Sequence, residues 1–281
     1  MDNIRTLIGR VSKFVVKRFM PQGIYISSEN TEKEILMPKR YVPQDIKEGD
    51  TLQAFVYHDN EGRLIATTLS PSITVGETKV LRCKACSTNG AFFDWGIHKD
   101  LFIPFAEQQA KPKEGKFYAV HAYIDRISGK VVGSTKLAKH IGNIPAQYSK
   151  GECVPIIVVD KNEVGYRVIV DNIHWGILYF NELTNSLDML SSHKAYVVRI
   201  RDDGKIDLSI NPVGYEKVYS IENAMLSLLK TNRGTLPIGD KSDPEYIRAL
   251  TSLSKKTFKM VIGSLYKQRK IKIYPDRITL N

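Results

Sequence analysis

The sequence predicts a mainly β chain with a C-terminal α+β domain: three tandem five-stranded barrels, then a small helical domain. Three observations lead there. Gly9, Gly23 and Gly62 recur as Gly76, Gly90 and Gly129, each 67 residues on, and again as Gly151, Gly165 and Gly204, each a further 75 on. Glycines held in register mark turns or close backbone approaches that repeat with a fold. Each copy also closes on an extended run, an Asp ahead of a Gly-Lys or Gly-Arg turn, and a second run, which is the sequence form of a hairpin. After Asn211-Pro212 the hydrophobic period changes from two to about 3.6.

The first copy runs GRVSKFVVKRFMPQGIYI, EILMPKRYVP and GDTLQAFVYHDNEGRLIATTL. The second runs GETKVLRCKACSTNGAFFDWG, KDLFIPFAEQ and GKFYAVHAYIDRISGKVVGSTK, and the third GECVPIIVVDKNEVGYRVIVD, WGILYFNEL and HKAYVVRIRDDGKIDLSI. Each is a string of short alternating strands. Five strands in roughly 65–75 residues fit a closed barrel of the OB type, whose outward positions are free to bind while inward ones fill the core. The predicted boundaries are 1–72, 73–148 and 149–212 for the barrels and 213–281 for the last domain.

In that last domain Ile221, Met225, Leu228 and Leu229 form one helical stripe behind Ser220 as N-cap. A short strand is expected around Thr235 to Pro237. Asp243-Pro244 supplies a cap and a first-turn proline for a helix with Tyr246, Ile247 and Leu250 inward. Ser254 caps a third helix reaching to about Lys270, and Ile271 to Leu280 reads as two strands around Tyr274-Pro275-Asp276-Arg277. Helix, strand, helix, turn, helix, hairpin is the order of a winged helix-turn-helix. On the third helix Phe258, Ile262 and Leu265 fall within about 60° of one another, with Lys256, Lys259, Lys267 and Lys270 opposite, around Gly263. From Ser254 to Lys272 there are seven Lys and Arg and no Asp or Glu. A phosphate backbone is the simplest partner for such a face, and a merely solvated lysine face is the other reading.

Composition narrows the function classes. The 281 residues carry 41 Lys and Arg against 30 Asp and Glu, a net charge of +11, and residues 213–281 alone hold 13 basic against 6 acidic. That excess favours an anionic partner. No apolar run approaches the length of a membrane span and the first ten residues lack a secretory signal, so a soluble, cytoplasmic protein without a membrane partner is expected. Three cysteines imply no disulfide framework. Cys83 and Cys86 have metal-ligand spacing, but residues three apart on a regular strand face opposite ways and no second pair accompanies them, so no metal is expected. With no phosphate loop, no nucleophile motif and no clustered carboxylates, neither a cofactor nor an enzyme activity is expected.

GAFFDWG followed by KDLFIPFAEQ, and GILYFNEL in the third copy, resemble the S1-type RNA-binding OB domain. Three such barrels ahead of DKSDPEYIRALTSLSKKTFKMVIGSLYKQRKIKI resemble the conserved virulence factor B (CvfB) family over essentially the whole chain. The resemblance implies a bacterial, non-catalytic, post-transcriptional regulator that binds single-stranded RNA. A DNA-binding transcription regulator, or an adaptor to ribosome or nuclease, are the other readings.

Carried over by position, the RNA face would use the second-strand residues Tyr25, Phe92 and Arg167, the third-strand Tyr179, and the closing-turn cations Arg63, Lys130 and Lys205, each after an Asp (Asp59, Asp125, Asp203). The family's aromatic before the second glycine is absent, with Gln22, Asn89 and Val164 in its place, and its third-strand His is replaced by Pro38, Pro104 and Tyr179. An exposed aromatic contributes about 1–3 kcal/mol per stacked base, so each depleted platform should bind weakly alone. Alternation places Phe92 outward with Asp94, and Phe93 and Trp95 in the barrel core, while Trp175 is left open.

Overall fold

The computed structural model describes residues 3–28, 31, 33–180, 183, 185–211 and 215–281; for Asn3 and residues 215–220 only the backbone is described. The chain divides into two compact units, Met1–Ile210 and Asn211–Asn281. The predicted boundary at 212/213 and part of the GILYFNEL segment, 181–182, lie outside the described residues.

The first unit holds the three barrels. The first comprises β1 (Val11–Met20), β2 (Gly23–Ser27), β3 (Ile35–Pro38), β4 (Thr51–His58) and β5 (Leu64–Thr67). They close in the order β1-β2-β3-β5-β4, with β3 and β5 parallel. The third repeats this closure with β11 (Cys153–Lys161), β12 (Gly165–Val170), β13 (His174–Tyr179), β14 (Ser192–Ile200) and β15 (Ile206–Ser209). The second consists of β6 (Thr78–Cys86), β7 (Gly90–Phe93), β8 (Leu101–Pro104), β9 (Phe117–Ile124) and β10 (Val131–Ser134). It is nearly closed rather than closed: β8 and β10 lie side by side without a ladder between them. There Ser134 Oγ donates to Glu107 Oε2 at 2.7 Å and Thr135 N to the Glu107 carbonyl at 2.9 Å, fastening β10 just beyond β8.

The register glycines are explained by the backbone. A Cβ on Gly23, Gly90 or Gly165 would lie 2.0, 2.4 or 2.2 Å from the carbonyl oxygen of Met37, Ile103 or Leu178 on the facing strand. Only glycine permits that approach. Each barrel also carries a β-bulge at one place in the repeat, between Val16 and Arg18, Cys83 and Ala85, and Val158 and Asp160. A bulge adds a residue to one strand and turns the following side chains to the other face.

Barrels one and two share a core. On β4 the inward Ala54 and Val56 join the first barrel's core, while the outward Phe55 and Tyr57 are buried in the second's. Trp95 was expected inside the second barrel. It is buried in that barrel's core cluster, but past the end of β7, where it also packs edge-on against Phe55 and Tyr57, with ring centroids 5.5 and 6.0 Å away. Its indole N–H donates to the Ile73 carbonyl at 2.9 Å. Alternation placed it on the right face, but the strand ends before it. Tyr57 completes the joint through a 3.3 Å contact with the Tyr41 hydroxyl, and burial with that contact pushes its phenol well above the usual range. The second and third barrels meet through Asn172 Oδ1, which accepts from Thr78 N at 2.9 Å, and through the linker, where Trp175 donates to the Ile141 carbonyl at 3.1 Å.

The second unit has the expected order: α1 (Tyr215–Thr231), β16 (Thr235–Leu236), α2 (Pro244–Thr251), α3 (Lys255–Lys267), β17 (Ile271–Ile273) and β18 (Ile278–Leu280), the strands ordered β16-β18-β17. Asp243 and Ser254 cap α2 and α3 by accepting from Glu245 N and Thr257 N. Its core includes Met225, Leu229, Ile247, Phe258, Ile262 and Leu265. Three expectations are corrected. The first helix begins at Tyr215, so Ser220 lies inside it rather than at its cap. On α2 only Ile247 is buried; a two-turn helix seated mainly on α3 leaves Tyr246 and Leu250 partly in solvent. And α3 stops at Lys267: Arg269 takes a positive φ and Lys270 N closes on the Leu265 carbonyl, so Lys270 belongs to the turn before β17. Among the described residues no helix is long and apolar enough to cross a membrane.

Because Trp95 joins two barrels, Trp95→Ala is expected to cost about 3–5 kcal/mol. Trp95→Phe, which keeps a ring but loses the bond to Ile73, should cost less. Urea unfolding of both variants measures this; equal stability of wild type and Trp95→Ala would contradict the joint.

Candidate nucleic-acid interface

The outer faces of the three barrels carry different electrostatics. In the first, Tyr25 pairs across strands with Arg18, whose guanidinium sits 4.2 Å over its ring and is held by Glu34 at 2.8 and 2.9 Å. Arg63 is clasped by Asp59 at 2.7 and 2.8 Å and by Glu61 at 2.7 Å. Burial works against the Asp59 carboxylate, but the Arg63 hydrogen bonds hold it below its ordinary range. The expected cation is there, and its charge is answered twice over.

The third barrel is similar. Arg167 lies 4.7 Å over the Trp175 ring and 3.2 Å from Asp160, so the open question of Trp175 resolves to a half-buried platform under an arginine. Tyr179 donates to Asp207 Oδ1 at 3.2 Å, Arg199 donates to the other oxygen at 2.6 Å, and Lys205 pairs with Asp203 at 3.0 Å.

The second barrel is open. Phe92 on β7 faces Phe102 on β8 with ring centroids 5.2 Å apart; both are half-buried while their strand neighbours Phe93, Leu101 and Ile103 are buried. They line a groove of about 880 Å³ that also receives Lys99, Tyr123 and Lys130. Lys99 Nζ donates to the carbonyls of His58 at 2.7 Å and Asp59 at 2.9 Å, which pins it against the first barrel's closing turn. Burial, and then Lys130, lower its pKa from the ordinary lysine value. Lys130 Nζ lies 3.5 Å from where a Gly62 side chain would begin and has no carboxylate partner among the described residues. The Asp125 carboxylate that precedes it is occupied by Ser128, at 2.7 and 2.8 Å, and those bonds depress its pKa. Two aromatic rings beside two ammonium groups can stack bases and meet phosphates.

Of the residues predicted on the barrels, the structure brings Phe92 and Lys130 into one groove and leaves Tyr25, Arg63, Arg167, Tyr179 and Lys205 in separate ion pairs, stacks or hydrogen bonds. Phe102, Lys99 and Tyr123 were missed. Phe102 was legible, because the alternation that turns Phe92 outward also turns out the residue between Leu101 and Ile103. Lys99 was not, since its role depends on the neighbouring barrel.

In the second unit Lys256, Lys259 and Lys267 are exposed on one side of α3 around Gly263, where an added side chain would meet open space. Met260 and Tyr266 are exposed beside them, and no carboxylate pairs with these lysines among the described residues. Lys270, predicted for the same face, is half-buried off the end of the helix.

Residues 223–280 match the model of the CvfB-like winged helix domain and residues 8–69 that of the S1 domain, both nucleic-acid-binding domain types. The conserved virulence factor B proteins of Staphylococcus aureus strains bovine RF122 / ET3-1, MSSA476 and N315 are each 25% identical to this chain, covering 84% of it and 81% of their own length. A solved multidomain protein with nucleic acid binding domains from Streptococcus pneumoniae is 21% identical, covering 98% of this chain and 99% of its own, with a TM-score of 0.41. The family resemblance read from the sequence is borne out.

Behind the groove, His140 stacks on His121 at 4.7 Å and lies 4.6 Å from Tyr123, with its Nε2 3.8 Å from Glu107. Burial, and then His140, lower His121 to a pKa of about 4. A histidine depressed in the folded state binds its proton first in the unfolded chain. Its contribution is therefore whole above about pH 6.5 and drains away as pH falls toward 4, by roughly 2–3 kcal/mol. Urea melts should show wild type losing more stability between pH 7 and 4.5 than His121→Asn, by about that difference.

Proposed function

We propose that this chain is a non-catalytic, cytoplasmic RNA-binding protein, acting as a bacterial post-transcriptional regulator, that holds single-stranded RNA in the groove of its second barrel. The observation that carries this reading is the Phe92–Phe102 pair beside Lys130, an aromatic platform with an unanswered cation. Base stacking at about 1–3 kcal/mol per base supplies affinity with little sequence preference, and lysine contacts to phosphate add a salt-dependent part. A duplex hides its bases from such a platform. The first and third barrels, whose cations already have carboxylate partners, contribute secondary contacts through Tyr25, Arg63, Arg167, Tyr179 and Lys205. Linked weak modules raise one another's effective concentration, so modest contacts can sum to a useful affinity. That the two matched domain types bind nucleic acid supports a binding protein over an enzyme.

A second reading is DNA binding by α3, favoured by the exposed Lys256, Lys259 and Lys267 on the second helix of a helix-turn-helix. Comparing single-stranded RNA, duplex RNA and duplex DNA at one salt concentration separates the two. Tightest binding to duplex DNA would replace the RNA reading.

Within the RNA reading, Phe92→Ala should weaken single-stranded RNA binding by about 1–3 kcal/mol with little loss of stability. Lys130→Gln should weaken binding more than Arg63→Gln or Lys205→Gln, because it alone among the three lacks a carboxylate partner. Fluorescence anisotropy measures these, and an equal effect at all three turns would contradict the assignment to the second barrel. Replacing Lys256, Lys259, Lys267 and Lys270 with Gln should lower the salt slope by up to about 0.7 per lost contact, with Lys270 contributing least. An unchanged slope and affinity would make this a solvated face only.

A further inference from the structure

Cys83 and Cys86 are three residues apart on β6, a spacing that sends side chains to opposite faces of a regular strand. The bulge between Cys83 and Ala85 reverses that, and the two Sγ atoms lie 3.7 Å apart. The sequence-based expectation of opposed cysteines is thus overturned. A disulfide needs about 2.05 Å between sulfurs, so the pair must close by roughly 1.7 Å to bond. At the corresponding bulges of the other barrels the two positions are Val16 with Phe19 and Val158 with Lys161, so the bulge needs neither thiol.

The two thiols are unlike in access. Cys83 is wholly buried in the core shared by the first two barrels, whereas Cys86 is half-exposed, its Sγ 3.3 Å from the Pro112 carbonyl. Burial and then the contact with Cys86 push the Cys83 thiol up to about 11, so it is protonated at neutral pH. An exposed attacking thiol backed by a buried resolving thiol is the arrangement of a reversible dithiol.

We propose that Cys83 and Cys86 form a redox-active dithiol that low-molecular-weight disulfides oxidise to an intramolecular disulfide. The Cys86 thiolate attacks one sulfur of a disulfide RSSR, forming a mixed disulfide and releasing RS⁻. The Cys83 sulfur then attacks the Cys86 sulfur, its proton passes to RS⁻, and the second RS⁻ leaves and takes up the proton that Cys86 gave to solvent. Two thiols are oxidised, and RSSR is reduced to two RSH.

The test uses the full native chain with oxidised glutathione as probe, followed by alkylation and peptide mapping. The expected product is a Cys83–Cys86 linked peptide lighter by two hydrogens, reduced again by dithiothreitol. Exposed Cys153, which has no neighbouring thiol, serves as internal control and carries only a glutathione adduct. Cys83→Ser should trap glutathione stably on Cys86, and Cys86→Ser should leave Cys83 unmodified. Two results would overturn the proposal: a glutathione adduct that persists on Cys86 of the wild type, or both thiols remaining alkylatable while Cys153 reacts. Should either variant fail to fold, the wild-type map decides alone.

Discussion

The burial of β4 on both faces is the constraint on which the geometry of the second barrel's groove rests. Alternation sends Ala54 and Val56 into one barrel, and the same alternation sends Phe55 and Tyr57 into the core of the next. A strand apolar on both sides cannot stand at a surface, so the two barrels pack as one body and Trp95 seals them. Small five-stranded barrels bury little area alone, and a shared core adds what each lacks. The joint also fixes where the closing turns meet: Lys99 reaches the His58 and Asp59 carbonyls and Lys130 passes beside Gly62 because β4 and its hairpin are held against the second barrel.

One scaffold used three times does not give three equal sites. Tyr25, Phe92 and Arg167 occupy the same place in the repeat, as do Arg63, Lys130 and Lys205 near the closing turn. Their neighbours decide what they can do. Glu34, Asp59 and Glu61 answer the cations of the first barrel, and Asp160, Asp203 and Asp207 those of the third. In the second, Asp125 Oδ2 accepts from the Ser128 N–H and hydroxyl, and no carboxylate pairs with Lys130 among the described residues. The hydrogen bonding of the closing turn thus differs between the barrel whose turn cation has no carboxylate partner among the described residues and the two whose turn cations do.

The bulge in each first strand works in the same local way. By adding a residue it turns the side chains after it, and this sets Arg18 opposite Tyr25 and Cys83 beside Cys86. Neither contact follows from the even alternation of a regular strand.

What the sequence determined by itself is the repeat and its consequences: three barrels from the glycine register, their hairpins, the two capped helices at Asp243 and Ser254, the outward Phe92 and the acid-free face of α3. These follow from local rules, since turns, caps and alternation act within a few residues. The tertiary structure alone decided which cations are free, where Trp95 packs, that α3 ends before Lys270 and that two cysteines meet. Each of those depends on side chains brought close across strands, barrels or a bulge, where distance along the chain no longer measures distance in space.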